Sequence, residues 1–148
     1  MINEIINGIY EKLNNTFGHG YEIYAEKIMQ GFKEPCFFIS VLNPTSTQIR
    51  GNKYYRSNLV CIQYFSSSNE PKSECYQVQE DLYLALQYIA IDGKLQRGIG
   101  MHGEYNDGVL SFFVNYNMFI VMSEEQEKME TLELQKLKMK GMVYNGNS

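Results

Sequence analysis

The sequence predicts an α+β domain: a single mainly antiparallel β-sheet with two helices packed on one face, followed by a C-terminal arm. Three observations predict it. Apolar residues near the N-terminus and in the middle of the chain recur at helical spacing. The remaining segments up to Met122 alternate with the two-residue period of strands or run apolar throughout. From Ser123 onward the composition turns to dense charge. The predicted order is helix, three strands, helix, two strands, with the domain over 1–122 and the arm over 123–148.

Ile2, Ile5, Ile6, Ile9 and Leu13 make one apolar stripe, which predicts a helix over 2–14 with Glu4, Glu11 and Lys12 outside it. Phe17-Gly18-His19-Gly20 supplies the stop. Tyr21, Ile23 and Ala25 alternate with Glu22, Tyr24 and Glu26, a half-buried strand, and residues 30–35 read as a turn. Residues 36–42 are apolar on both faces and read as a central strand closed by Asn43-Pro44. Residues 45–58 are polar and lack any acid, and 59–65 form the third strand. A serine-rich loop ending at Pro71 delivers the second helix, expected over 72–89 as the longest, on a stripe of Cys75, Val78, Leu82, Leu86 and Ile89. Asn106-Asp107-Gly108 is a hairpin signal, because Asp-Gly suits the positive φ angles of a type I′ turn. Residues 109–122 then alternate throughout, with Leu110, Phe112, Val114, Tyr116, Met118, Ile120 and Met122 facing one way. The arm carries Glu124, Glu125, Glu127, Glu130 and Glu133, then Lys136, Lys138 and Lys140; it is expected to be disordered alone or ordered against a partner.

A chain of 148 residues is one domain that buries about 70% of its unfolded surface. No 18-residue apolar run exists, so neither a transmembrane helix nor a membrane partner is expected. The start lacks a basic segment followed by an apolar one, so no signal peptide is expected. With 12 Tyr and 8 Phe, full-length disorder is excluded, and a net charge of −4 argues against a protein that coats nucleic acid. Cys36, Cys61 and Cys75 are odd in number and lack C-x-x-C spacing, as expected of buried thiols in a reducing compartment.

The chemistry of known motifs is missing. Gly98, Gly100 and Gly103 match the dinucleotide-binding pattern by letter, but they lead into a hairpin turn and not into a helix whose N-terminus receives a pyrophosphate. A twisted or bulged strand is the expected reading. His19 and His102 lie in different segments without metal-ligand spacing, and no nucleophile–base pair is apparent. No catalytic residue, cofactor or metal is expected, and the protein is not expected to be an enzyme. One charge pattern stands out: Arg50, Lys53 and Arg56 sit beside Tyr54 and Tyr55 in an acid-free segment. Two readings are open, a solvated edge hairpin whose charges discourage edge pairing, or a surface that meets a partner.

The opening residues 1–10, the Tyr21-Glu22-Ile23-Tyr24 strand, the 33–39 segment and the 108–116 strand resemble tail terminator (minor tail, tail completion) proteins of bacteriophages and of defective, PBSX-like prophages of Gram-positive bacteria. The resemblance covers roughly residues 1–122. It implies a structural α+β protein, made in the bacterial host cytoplasm and carried in the virion. Such a protein forms a ring, expected to be a hexamer, that caps the tail tube, ends its polymerisation and offers the head-joining surface. The implied partners are further copies of itself, the tail tube protein and the head–tail connector protein; in a ring, Arg50, Lys53 and Arg56 repeated around the axis suit a channel that passes DNA, met non-specifically through its phosphates. Arg50, Lys53, Tyr54, Tyr55, Arg56, Phe113 and Phe119 are the expected interface residues, the last two because the second face of the last strand needs cover. Two alternatives stand beside this reading. One is a small ligand-binding or enzymatic domain using the 98–103 strand, from Gly98 to Gly103, with His102. The other is a nucleic-acid adaptor working through Arg50, Lys53 and Arg56.

Overall fold

The computed structural model describes residues 1–25, 31–123 and 132. Its elements are α1 (Ile2–Phe17), β1 (Glu22–Tyr24), β2 (Cys36–Arg50), β3 (Lys53–Phe65), α2 (Pro71–Ala85), β4 (Tyr88–Ile91), β5 (Lys94–Arg97), β6 (Ile99–Asn106) and β7 (Val109–Val121). Five strands form one sheet in the order β1-β2-β3-β7-β6, while β4 and β5 form a second sheet of two strands. The α+β class is as expected; the expected single sheet gains a small companion. Of the expected arm, only Ser123 and Leu132 fall within the described residues, and Glu26 and Gln30 also lie outside them. The chain divides into two compact units, one of Met1–Thr45 with Arg56–Met118 and one of Ser46–Tyr55 with Phe119–Ser148.

In the first unit, α1 buries Ile5, Ile9 and Leu13, while Ile2 stays exposed and Ile6 half-buried. It runs past the expected Asn14 to Phe17, whose ring packs on Phe37 at 4.8 Å and on Tyr21 at 5.4 Å. Gly18 stops it as expected, donating its N–H to the Asn14 carbonyl at 3.0 Å. β1 is short and runs parallel to β2, pairing Ile23 with Phe37.

Asn43-Pro44 does not close β2, contrary to expectation: the strand continues to Arg50 and β3 begins as early as Lys53. β1 reaches no further along β2 than Phe38, so among the described residues Pro44 lies where only β3 flanks the strand. A proline, which has no N–H to donate, is tolerated in such an edge segment. Asn43 takes a positive φ of 45° within the strand, a conformation asparagine tolerates better than most residues other than glycine.

α2 is also shorter than expected and, at 15 residues against 16 for α1, is not the longest helix. Cys75, Val78, Leu82 and Leu86 are buried as the stripe predicted, but Ile89 belongs to β4. Tertiary partners take the carbonyls just past the helix: Tyr116 donates its hydroxyl to the Leu86 carbonyl at 2.6 Å, and Gly98 its N–H to that of Gln87 at 2.9 Å. Ile89 and Ile91 then alternate with exposed Tyr88 and Ala90, and β4 turns through Asp92 (φ 51°) and Gly93 (φ 75°) into β5. The expected turn at Asp107 and Gly108 likewise has both φ angles positive, 46° and 82°, and joins β6 to β7.

The glycines that mimic a nucleotide motif have a packing role. The register of β6 on β7 slips between Ile99 and His102, the expected bulge. A Cβ on Gly98 would stand 2.6 Å from the Leu86 carbonyl oxygen and 2.7 Å from a Val114 methyl, and one on Gly103 2.7 Å from the Gln79 amide of α2. Both glycines let other elements approach the strand closely.

Phe37, Tyr64, Phe112 and Tyr116 are the largest fully buried side chains among the described residues. Phe37 touches Tyr64 at 4.8 Å, Tyr64 donates its hydroxyl to Glu74 of α2 at 2.8 Å, and Phe112 meets Tyr83 of α2 edge-on at 5.5 Å. With Phe17 of α1 on Phe37, both helices therefore cover this sheet face. Ser66 also donates its hydroxyl to Glu74. The other sheet face carries its own aromatic cluster, in which Phe38 packs on Tyr24, Phe32 and Phe65. Asn58, 2% exposed, is satisfied by donating to the Tyr116 carbonyl at 3.1 Å.

Replacing Tyr116 with Phe leaves the Leu86 carbonyl without that donor and is expected to cost about 1–2 kcal/mol. Gly98→Ala forces a methyl against backbone and is expected to cost about 1–3 kcal/mol. Urea titration of each variant, read as a lower midpoint at unchanged slope, checks both.

Candidate interaction surface

The second unit begins in the hairpin that joins β2 to β3. Gly51 takes a φ of 55° and Asn52 a negative one, the pattern of a type II′ turn with glycine first. Gln48 donates to the Gly51 carbonyl at 2.7 Å. Asn52 ties the turn to the end of β7 twice: its side-chain amide donates to the Met122 carbonyl at 2.9 Å, and its own carbonyl accepts the Met122 N–H at 2.9 Å.

This pairing sets one face of the unit. Lys53 and Tyr55 are two residues apart on β3 and share a side, as do Phe119 and Val121 on β7. The Tyr55 and Phe119 rings meet at 4.9 Å, so all four belong to one surface. Phe119 is 73% exposed, Val121 66% and Ile49 54%. These three, with Lys53 and Ile120, line a shallow cavity of about 420 Å³. Arg50 and Lys53 flank the turn, both exposed, and neither makes an ion pair with a described residue. Contiguous exposed apolar surface with a charged rim has the character of interaction sites in general.

Arg50, Lys53, Tyr54, Tyr55 and Phe119, all expected at an interface, fall in this unit, with Tyr54 and Tyr55 half-buried. Arg56 and Phe113 belong to the first unit. Phe113 already has cover, since the His102 imidazole stacks on its ring at 4.9 Å and 17°. Ile49 and Val121 are not among the expected interface residues. The signal for Ile49 was a lone aliphatic in a polar stretch; for Val121 it was the odd-numbered side of the β7 alternation, which also holds Phe119.

All three cysteines are buried. Burial, aided by Glu34 and Glu22, pushes the Cys36 thiol up to about 11; burial with Glu74 does the same for Cys75, to about 11, and burial with Glu104 raises Cys61. Such thiols stay protonated and unreactive at neutral pH. His102 is exposed, with Nδ1 3.1 Å from the Gly100 carbonyl and its ring on Phe113. It lacks the carboxylate or thiol partner among the described residues that a catalytic role for it requires. Tyr64 and Tyr116 have their phenols raised well above the usual range, by burial first and, for Tyr64, by Glu74 as well.

A family model described as phage tail terminator protein matches residues 4–129 of the chain. No curated protein matches it. A solved structure bearing only a serial identifier for a name shares 11% identity, covering 82% of this chain and 95% of its own, at a TM-score of 0.38; a likeness that weak supports no inference.

Unfolded thiols ionise near the ordinary value of 9.0, whereas folded Cys36 and Cys75 hold their protons to about 11. The unfolded chain sheds those protons first, so their contribution is complete below 9.0 and is lost as pH rises from there toward about 11. Melting temperatures across that range should fall steadily for the wild type and less for Cys36→Ala/Cys75→Ala. An exposed-thiol reagent at neutral pH should label the cysteines only after denaturation.

Proposed function

The chain belongs to the phage tail terminator family, whose members are structural proteins of the phage tail, and from that premise we propose that it caps the tail tube as a ring. In this reading the ring, a hexamer, forms when the tube reaches full length, stops further addition of tube subunits and presents the surface that joins the head. The protein is made in the host cytoplasm of a PBSX-like phage or prophage, leaves in the virion and transforms no substrate. Its partners are its own copies, the tail tube protein and the head–tail connector protein, and the ring lets DNA pass.

The observation that carries this reading is the exposed apolar surface of Ile49, Phe119 and Val121 beside Arg50 and Lys53. Closed cyclic symmetry covers every copy of such a head-to-tail surface, whereas an isolated subunit leaves it in water. The enzymatic alternative loses its support because His102 has only a backbone carbonyl and a phenyl ring beside it among the described residues. Arg50, Lys53, Tyr54, Tyr55, Arg56, Phe113 and Phe119 remain the interface set of this proposal, with Ile49 and Val121 added and Phe113 the weakest member.

Particles assembled without this protein should carry abnormally long or headless tails under the electron microscope. Tails of normal length joined to heads would overturn the reading. Phe119→Ser should leave the melting temperature within about 2 °C, since an exposed position contributes little to stability, yet reduce tail completion.

A further inference from the structure

A head-to-tail ring needs two different surfaces on each subunit, and one of them is the hairpin surface already described. The outer face of α2 supplies a match. Its buried stripe is Cys75, Val78 and Leu82, while Tyr76, Glu80 and Leu84, spaced by four residues, run along the solvent side. Leu84 is 78% exposed, more than any other large apolar side chain among the described residues, and Tyr76 is 50% exposed. Glu80 is exposed and Asp81 half-buried; Asp81 accepts from Gln77 at 3.2 Å, and neither carboxylate is ion-paired with a described residue. Lys72 lies over the Tyr76 ring at 6.0 Å at the N-terminal end of this face, so its acidic border is the other end, where Glu80 and Asp81 stand beside Leu84, while the hairpin surface is apolar with a basic border.

We propose that the hairpin surface of one copy (Arg50, Lys53, Phe119, Val121) docks on the outer face of α2 (Tyr76, Glu80, Asp81, Leu84) of the next copy. The proposal rests on the ring reading and says which surfaces close the ring. Charge chooses the pairing. Hairpin against hairpin would oppose Arg50 and Lys53 to themselves, and helix against helix, with Lys72 beside its own Tyr76, would leave Arg50 and Lys53 without an opposite charge. Hairpin against helix brings Arg50 and Lys53 to Glu80 and Asp81 while removing Phe119, Val121 and Leu84 from water. Because the two surfaces differ, each copy keeps one of each free for the next, and the contact propagates until it closes.

The test is a charge swap. Arg50→Glu/Lys53→Glu and Glu80→Lys/Asp81→Lys are made separately and then in one chain. Association is measured by sedimentation velocity, for the chain alone and with polymerised tail tube protein, and circular dichroism verifies the fold of each variant. Each separate reversal should weaken association by about tenfold or more, and the chain with all four changes should recover to within about threefold of wild type. Reversals without effect, or a combined chain no better than the separate ones, would overturn the docking while leaving the ring standing. A wild-type chain that never associates, alone or on the tube, removes the ring and the docking together. If Arg50→Glu/Lys53→Glu abolishes duplex DNA binding while assembly is untouched, the cations serve phosphate and the docking is also overturned.

Discussion

The two-residue period of β7 is the constraint to which the other elements answer. Leu110, Phe112, Val114, Tyr116 and Met118 are all buried on one side, so that side must be roofed along its length. Tyr83 of α2 lies against Phe112, and the carbonyl just beyond the helix accepts from Tyr116. The hydroxyl bond also bears on where α2 gives way to β4, because a buried phenol needs an acceptor and the frayed end of a helix has one free. The close approach at Gly98 completes the same junction.

Several polar groups inside this unit position its elements. Glu74 accepts from both Tyr64 and Ser66, and Asn58 donates to the Tyr116 carbonyl, so these buried or half-buried side chains are spoken for by neighbours. The thiols lie in apolar surroundings that favour their neutral form. His102 spends its ring on covering Phe113. The chain belongs to a family of structural tail proteins.

That surface has an unusual distribution of apolar side chains. Single exposed aliphatics are ordinary, but Ile49, Phe119 and Val121 gather in one small unit with two exposed cations that form no ion pair with a described residue. The unit is built from a hairpin turn bonded to the last residues of a long strand, a rigid way to present side chains, since each is fixed by the alternation of its strand.

Local patterns alone determined the helical stripe of α1, most of that of α2, the Asp107-Gly108 turn, the β7 alternation and the bulged reading of the 98–103 glycines. Each depends on periodicity or on a turn residue's own conformational preference, and these act within a few residues. Tertiary structure decided what no local window holds. Ile89 fits both the helical stripe and a strand, and the choice went to the strand because Tyr116 and Gly98 claim the carbonyls at the helix end. Asn43-Pro44 looks like a terminator, yet β2 passes through it because β1 has already stopped and no partner there needs the missing N–H. The exposure of Ile49, Phe119 and Val121 likewise awaited the fold, since an aliphatic or aromatic letter is the same whether its side of the strand meets a helix or water.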